Sequence, residues 1–176
     1  MRMTSQNPRS REKFLRRALS LIEVVASTMI VGLMTVAALN SLGAATRSSE
    51  SIGNRAVALG LADELMAEIL QAPYEDPTQS ALFGREPGEA AFPRSAFDDV
   101  DDYENWQQKP PQYHDGTQMP SRSKWRHSVR VRRVLPSDPT QTSMTDQGVK
   151  RIDIVIEYDG QVLAEQTALR TNTDKK

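Results

Sequence analysis

The feature that most constrains this chain is an uncharged stretch of membrane length near its N-terminus. The stretch from Val24 to Ala45 holds 22 residues without a charge, which as a helix rising ~1.5 Å per residue would span ~33 Å, close to the ~30 Å core of a bilayer. Glu23 immediately precedes it. A carboxylate at this position is costly in lipid, so it is usually retained for a partner or a pathway. The sequence therefore predicts one membrane-spanning helix with a functional carboxylate at its start.

The residues before this stretch are strongly basic. Positions 1–18 contain six basic residues and one acidic residue, a net charge of +5. Positive flanks stay cytoplasmic, so the bulk of the chain is expected on the other side of the membrane. Two simpler interpretations stay open. One is a conventional signal peptide cut near Gly43-Ala44-Ala45, although the apolar run is long for one, and the other is a plain signal anchor.

A family resemblance becomes specific from Arg16 to Val25, which reads Arg-Arg-Ala-Leu-Ser-Leu-Ile-Glu-Val-Val. This segment resembles the class III signal of type IV pilins and type II secretion pseudopilins. The resemblance implies cleavage by a prepilin peptidase between Ala18 and Leu19, methylation of the new Leu19 amine, and Glu23 at the fifth position of the mature chain. The chain departs from the commonest family pattern, which has glycine, phenylalanine and threonine where this one has Ala18, Leu19 and Ser20.

The resemblance implies a structural subunit rather than an enzyme, nearer to a minor pilin or minor pseudopilin than to an abundant fibre subunit. Its implied partners are the prepilin peptidase, other pilin or pseudopilin subunits, the inner-membrane assembly platform and membrane lipid. Glu23 would pair with the Leu19 amine of a neighbouring subunit and set the axial register. The protein would cross the cell inner membrane once, with its C-terminal domain in the periplasm, before entering a type IV pilus or a type II secretion pseudopilus.

A different functional class also stays open: a bitopic signal-anchored protein that presents an extracytoplasmic ligand-binding domain and has no filament role.

The composition of the chain argues against nucleic-acid binding and excludes cysteine chemistry. Without positions 1–18, the 22 basic and 23 acidic residues become 16 and 22, a net charge of −6, which gives no basic footprint for nucleic acid. The chain has no cysteine, so disulfides, thiol catalysis and cysteine-based zinc sites are excluded.

The predicted fold is α+β and pilin-like, with a long N-terminal helix packed on a small C-terminal antiparallel sheet. The first half of the helix would be transmembrane and the second amphipathic, ending near Gln71 because Pro73 follows. The predicted segments are a basic leader (1–18), a transmembrane helix (19–45), an amphipathic continuation (46–72), an irregular variable loop region (73–122), antiparallel strands (123–170) and a tail (171–176). The predicted core-facing row of the amphipathic part is Ile52, Ala56, Leu59, Ala62, Met66 and Ile69.

The strand signals lie near the C-terminal end. Core-facing and polar residues alternate from Trp125 to Arg132, which predicts a buried row beside a basic, solvated row. A second strand ends at Tyr158, and Asp159-Gly160 is a strong hairpin signal. About three strands are expected, with Pro136 to Gly148 as a mobile connection. A two-residue turn would oppose Glu165 to Ile154, so the hairpin needs a bulge or an exposed end.

The irregular region contains the densest charge in the chain. Its acidic segment carries five carboxylates, at Asp98, Asp99, Asp101, Asp102 and Glu104. Carboxylate oxygens are the ligands that Ca²⁺ favours, and some pseudopilins carry calcium in a comparable loop, so these residues are calcium candidates. Their spacing does not match the EF-hand loop. The favoured expectation is a solvated acidic loop or a helix cap, and no other cofactor is predicted.

Catalytic motifs are not evident in the sequence. His114 and His127 would form a metal or acid–base pair only if the fold brought them together, and neither has the local spacing of a zinc motif. His114 precedes Asp115-Gly116, a turn signal, while His127 falls in a strand pattern. The sequence contains neither a Gly-rich phosphate loop nor a G-x-S-x-G nucleophile motif.

Overall fold

A computed structural model describes residues 9–76, 83–85, 90 and 92–173, with side chains described from residue 21 onward. The chain divides into two compact units, Met1–Glu50 and Ser51–Lys176. The elements are helix α1 (Arg9–Gln71) and strands β1 (Gln107–Gln108), β2 (Trp125–Leu135), β3 (Asp138–Thr142), β4 (Val149–Tyr158) and β5 (Gln161–Thr171), with short 3₁₀ turns at Arg94–Ala96 and Asp101–Tyr103. The predicted α+β layout is confirmed. Positions 1–8 of the predicted leader and 174–176 of the predicted tail lie outside the described residues.

Helix α1 is long and apolar enough from Leu21 onward to cross a membrane, by length and composition. Its large apolar side chains are exposed along this part, for example Leu21 at 69% and Leu42 at 65%. Such a continuous apolar surface is unfavourable in water and is compatible with lipid or with other apolar helices. The helix ends at Gln71, two residues before Pro73, because the residue preceding a proline avoids helical geometry.

The part of α1 in the second unit packs on the sheet through a row that differs from the predicted one. Ala62, Met66 and Ile69 are buried as expected, but Ala56 is exposed, and Ile52 and Leu59 are 68% and 45% exposed. The buried row is Ala58, Leu61, Ala62, Leu65, Met66 and Ile69. Three- and four-residue steps fit more than one face of a helix, and the position of the sheet decides which face is buried.

The sheet is antiparallel, with the order β1-β2-β4-β5 and with β3 also paired to β2. It therefore has five strands rather than about three. The two extra strands are short, and β3 lies inside the predicted mobile connection of residues 136–148. The alternation in β2 is confirmed, because its predicted core-facing side chains are buried: Trp125, His127, Val129 and Val131. They face the core together with Ile152, Ile154 and Ile156 of β4.

The hairpin between β4 and β5 contains the irregularity that the sequence required. Asp159 and Gly160 both have positive φ, at 52° and 83°, as a two-residue primed turn demands. The register then shifts between Ile156 and Glu157, so Ile156 pairs with Ala164. This bulge keeps Ala164 in the core, and it places Gln166 rather than Glu165 opposite Ile154.

Candidate functional site

The N-terminal motif lies within α1. Ala18 and Leu19 have helical backbone, but their side chains are outside the described residues, as is the start of the leader. Glu23 is described and exposed, and no described side chain forms an ion pair with it. The carboxylate is therefore available to a group from outside the described chain. Cleavage at Ala18, methylation of Leu19 and the register role of Glu23 stay predictions.

In the second unit, several side chains of the irregular region contact one carboxylate of α1, that of Glu68. Glu68 accepts two hydrogen bonds from the Arg94 guanidinium, Nε to Oε1 at 2.6 Å and Nη2 to Oε2 at 3.0 Å. The Tyr103 hydroxyl donates to the same Oε1 at 2.9 Å, and His114 Nδ1 lies 3.2 Å from it. Three separate parts of the irregular region therefore converge on one side chain of α1.

The environment of this cluster keeps Glu68 ionised and Tyr103 neutral. Partial burial opposes ionisation of Glu68, but the hydrogen bonds and charge of Arg94 outweigh it, so the pKa of Glu68 is lowered. Burial and the adjacent Glu68 carboxylate raise the pKa of Tyr103. Arg94 is 4% exposed, and it also donates to the Gln112 carbonyl at 3.0 Å. Its charge is therefore paired and largely removed from water.

Three of the five carboxylates of the acidic segment are buried, whereas Asp98 is exposed and Glu104 is half-buried. Asp99, Asp101 and Asp102 are each no more than 3% exposed. Asp99 Oδ1 accepts from the backbone N–H groups of Asp101 and Asp102, the first two residues of the 3₁₀ turn, at 2.7 and 3.2 Å. Asp102 Oδ2 accepts from the N–H of Asp98 at 2.8 Å. The N-cap of the turn is Val100, without a side-chain cap. The expected solvated loop is wrong for these buried residues, because backbone donors and a buried cation take the place of water.

That cation is Lys150, which lies on β4 in the core-facing phase of Ile152, Ile154 and Ile156. Its side chain is 1% exposed. The ammonium donates to Asp101 Oδ1 and to the Tyr74 carbonyl, and it lies 4.4 Å from the centre of the Tyr74 ring. Asp101 Oδ2 accepts from the Gly84 N–H at 3.0 Å. The pair thus joins the sheet, the segment after α1 and the acidic segment.

The geometry of the acidic segment gives no support for a bound metal. Among the described residues, no group of three or more His, Asp or Glu side chains is arranged to hold an ion. Burial and the neighbouring Asp101 charge raise the pKa of Asp99 to about 7. Of the calcium candidates, Glu104 lies in the next turn and its Oε1 accepts from the Asn105 side-chain amide. Calcium binding stays an untested prediction.

The two histidines occupy different environments. His114 is half-exposed and contacts Glu68, whereas His127 is 1% exposed in the core row of β2. Neither ring nitrogen of His127 has a hydrogen-bond partner among the described residues. Burial, with the positive charge of Arg94 as a second cause, lowers the pKa of His127 to about 4. His127 is therefore a neutral core residue at neutral pH rather than an evident metal ligand.

The sequence motifs do not include the residues that organise this unit: Glu68, Arg94 and Lys150. One signal was available for Lys150, since it continues the alternation of Ile152, Ile154 and Ile156 toward the core. A charge in a core-facing position indicates a buried partner. For Glu68 and Arg94 no local pattern exists, because they are 26 residues apart in sequence and only the fold brings them together.

Comparisons of the chain with protein-family models, curated proteins and solved structures return no match. A membrane-length apolar helix in the first unit, and in the second unit a helical part that packs on a small antiparallel sheet, are compatible with a pilin-like fold. Membership of that family stays a proposal that depends on the N-terminal motif and this architecture.

Lys150→Met should destabilise the second unit by about 3–5 kcal/mol, because it leaves the Asp101 carboxylate buried without its cation. Urea unfolding of the full chain in detergent, followed by tryptophan fluorescence, measures this, since Trp106 and Trp125 both lie in this unit. Lys124→Met is the matched control, because Lys124 and Asp159 form an exposed pair. Equal stability of the two variants would contradict the role given to Lys150.

Acidification should destabilise this unit through His127. Between pH ~6.5 and ~4 the unfolded chain binds a proton that the buried His127 of the folded chain does not, so the free energy of unfolding falls by about 3 kcal/mol across that window and not below it. The measurement is the free energy of unfolding against pH for the native chain and for His127→Phe. Carboxylates common to both proteins cancel in the difference. A difference that stays constant from pH 6.5 to 4 would exclude this role.

Proposed function

We propose that this chain is a pilin-like structural subunit, nearest to a minor pseudopilin or minor pilin, that is cleaved by a prepilin peptidase and assembled into a type II secretion pseudopilus or a type IV pilus. The observation that carries the proposal is Glu23, the fifth residue after a small-residue junction, at the start of a membrane-length apolar helix with a basic flank. The exposed apolar surface of α1 from Leu21 onward supports it, because such a surface needs lipid or neighbouring helices.

In this proposal α1 has two successive roles. Before assembly it anchors the chain in the inner membrane, with the second unit in the periplasm. In the filament the same apolar surface packs against helices of other subunits. Glu23 pairs there with the Leu19 amine of a neighbour, because an ionised carboxylate surrounded by apolar groups is stable only beside a cation. A pair of this kind holds one axial register and penalises the others.

The second unit supplies the contacts that distinguish this subunit from others. Buried ion pairs hold two described parts of its irregular region, one against α1 through Arg94 and Glu68 and one against β4 through Asp101 and Lys150. An open groove of about 540 Å³ lies beside Glu68, and its lining includes the acidic side chains Glu64 and Asp98. The role of the second unit is structural: it makes lateral or tip contacts with other subunits of the filament and with the assembly platform. It uses no cofactor and binds no nucleic acid.

The first test is the N-terminus of the native protein extracted from membranes, by intact mass and terminal peptide sequencing. We expect a chain that starts at Leu19, because Ala18 is small enough for a peptidase pocket that accepts glycine. Ala18→Arg should leave the leader in place, whereas Ala26→Ser, a change within the apolar segment, should be processed normally. A native chain that still starts at Met1 would favour a plain signal anchor, and one that starts near Thr46 would favour conventional secretion.

Glu23→Ala should reduce incorporation into filaments strongly, by about tenfold or more, because the lost charge pair no longer selects the register. The amount of the chain in sheared or detergent-resistant filaments, divided by its amount in membranes, measures this. Glu50→Ala is the matched control, since Glu50 is exposed on the same helix beyond the apolar stretch. Normal assembly of Glu23→Ala would favour a bitopic receptor-like protein without a filament role.

A further inference from the structure

The two edges of the sheet differ in whether other strands of the chain pair with them. Strand β2 is covered on its outer side near both of its ends: β1 pairs Gln107 with Ser128 and Gln108 with His127, and β3 pairs Thr142 with Val134. At the opposite edge, β5 pairs with β4, and none of the described residues pairs with its other side. An edge strand presents unpaired N–H and C=O groups that can add a further strand.

The register identifies which backbone groups point away from the sheet. Asn172 N–H donates to the Gly148 carbonyl at 2.9 Å, just beyond the pair formed by Val149 and Thr171. Hydrogen-bonded pairs alternate along an antiparallel ladder, so even-numbered residues of β5 after the bulge bond to β4. The odd-numbered residues turn their N–H and C=O groups outward; they are Glu165, Thr167, Leu169 and Thr171.

This part of β5 has few of the features that usually prevent strand pairing. The bulge lies near the turn, so eight residues from Ala164 to Thr171 continue in regular register. They include neither proline nor lysine, the residues that commonly protect an edge. The charge of Arg170 does not protect the edge from pairing either, because its guanidinium donates to the Ala72 carbonyl on the inner side of the sheet.

A groove runs beside the open edge, between β5 and α1. Its volume is about 380 Å³, and it is lined by Asp63, Met66, Ala67, Leu70, Gln166 and Thr167. Leu70 is 36% exposed there, and the Gln166 side-chain amide donates to Asp63 across the groove. A strand added to β5 would place every second side chain over Met66 and Leu70, so apolar side chains at those positions would fit.

We infer that β5 is a strand-addition site, which pairs in the assembly with an extended segment of a neighbouring subunit. The occupant is an extended polypeptide because only a strand offers acceptors and donors at the two-residue spacing of Glu165, Thr167 and Leu169. Alternate side chains of that strand, small or medium-sized and apolar, enter the groove. The identity of the partner rests on the proposed function. The strand-addition site adds to that function a specific contact surface of the second unit, the outer edge of β5.

The test removes one outward N–H and leaves the β4–β5 ladder intact. Leu169→Pro does this, because proline is tolerated on an edge where its nitrogen faces solvent. Leu169→Ala is the matched control, which trims the same side chain but keeps the N–H group. We expect Leu169→Pro to lower incorporation into filaments by about tenfold and Leu169→Ala to stay within about twofold of the native chain.

Folding is checked on both full-length variants in detergent by thermal unfolding with tryptophan fluorescence. If Leu169→Pro unfolds early, the pair Glu165→Pro and Glu165→Ala repeats the comparison nearer the hairpin. Residue-resolved hydrogen exchange gives a second readout. In the assembly, amides of Glu165, Thr167 and Leu169 should exchange about tenfold or more slowly than in the free chain, while those of Gln166 and Ala168 should change little, because β4 already protects them.

Two results would overturn the inference: equal incorporation of the proline and alanine variants, or odd-numbered amides that exchange as fast in the assembly as in the free chain. Protection of these amides in the purified chain alone would overturn it in favour of pairing between two copies. The Glu23 test is independent. Loss of assembly in Leu169→Pro but not in Glu23→Ala would support strand addition at β5 and exclude the register role of Glu23. Loss of assembly in Glu23→Ala but not in Leu169→Pro would support the register role and exclude strand addition.

Discussion

The buried contact between Lys150 and Asp101 is the interaction on which the second unit most depends. It joins β4 to the acidic segment, and through the Tyr74 carbonyl it fixes the chain just beyond α1. Taking both charges out of water costs several kcal/mol per ion, and their attraction recovers that cost only with good geometry and further hydrogen bonds. The backbone donors around the two carboxylates Asp99 and Asp101 supply those bonds. These contacts fix the position of Asp101, although the described residues around it form only a short 3₁₀ turn.

Glu68 of α1 also holds parts of the irregular region in place, through Arg94 and Tyr103. Apolar burial alone would not fix this region, since polar residues separate its buried aromatic side chains, among them Tyr74, Tyr103 and Trp106. The hydrogen bonds to Glu68 are directional and set where Arg94 and Tyr103 lie relative to α1. The Arg94 guanidinium then stacks 4.9 Å from the Trp106 ring centre, so the polar cluster and the core share a boundary.

The predictable parts of this protein are those governed by local periodicity. The apolar stretch after Glu23, the end of α1 before Pro73 and the alternation of β2 all follow from neighbours in sequence. The face of α1 that is buried does not, because Leu59 and Leu65 fit helical spacing equally well and only the sheet separates them. The burial of Asp101 was missed for the same reason: its cation is 49 residues away. Long-range charge pairing leaves no periodic signal, so an acidic run resembles a solvated loop until its partner is placed.

Two polar features of the described chain are not needed by its own fold, and they belong to different units. Glu23 lies exposed on an apolar helix, and the outward backbone groups of β5 face away from the sheet that they complete. Each would be costly without a partner: a carboxylate placed in lipid is unfavourable unless a cation neutralises it, and an open strand edge can pair with unrelated chains. The fold covers the two ends of β2 with β1 and β3, whereas the outer edge of β5 has no partner strand among the described residues. The proposed added strand would satisfy the backbone groups of β5, as the proposed amine of a neighbouring subunit would neutralise Glu23.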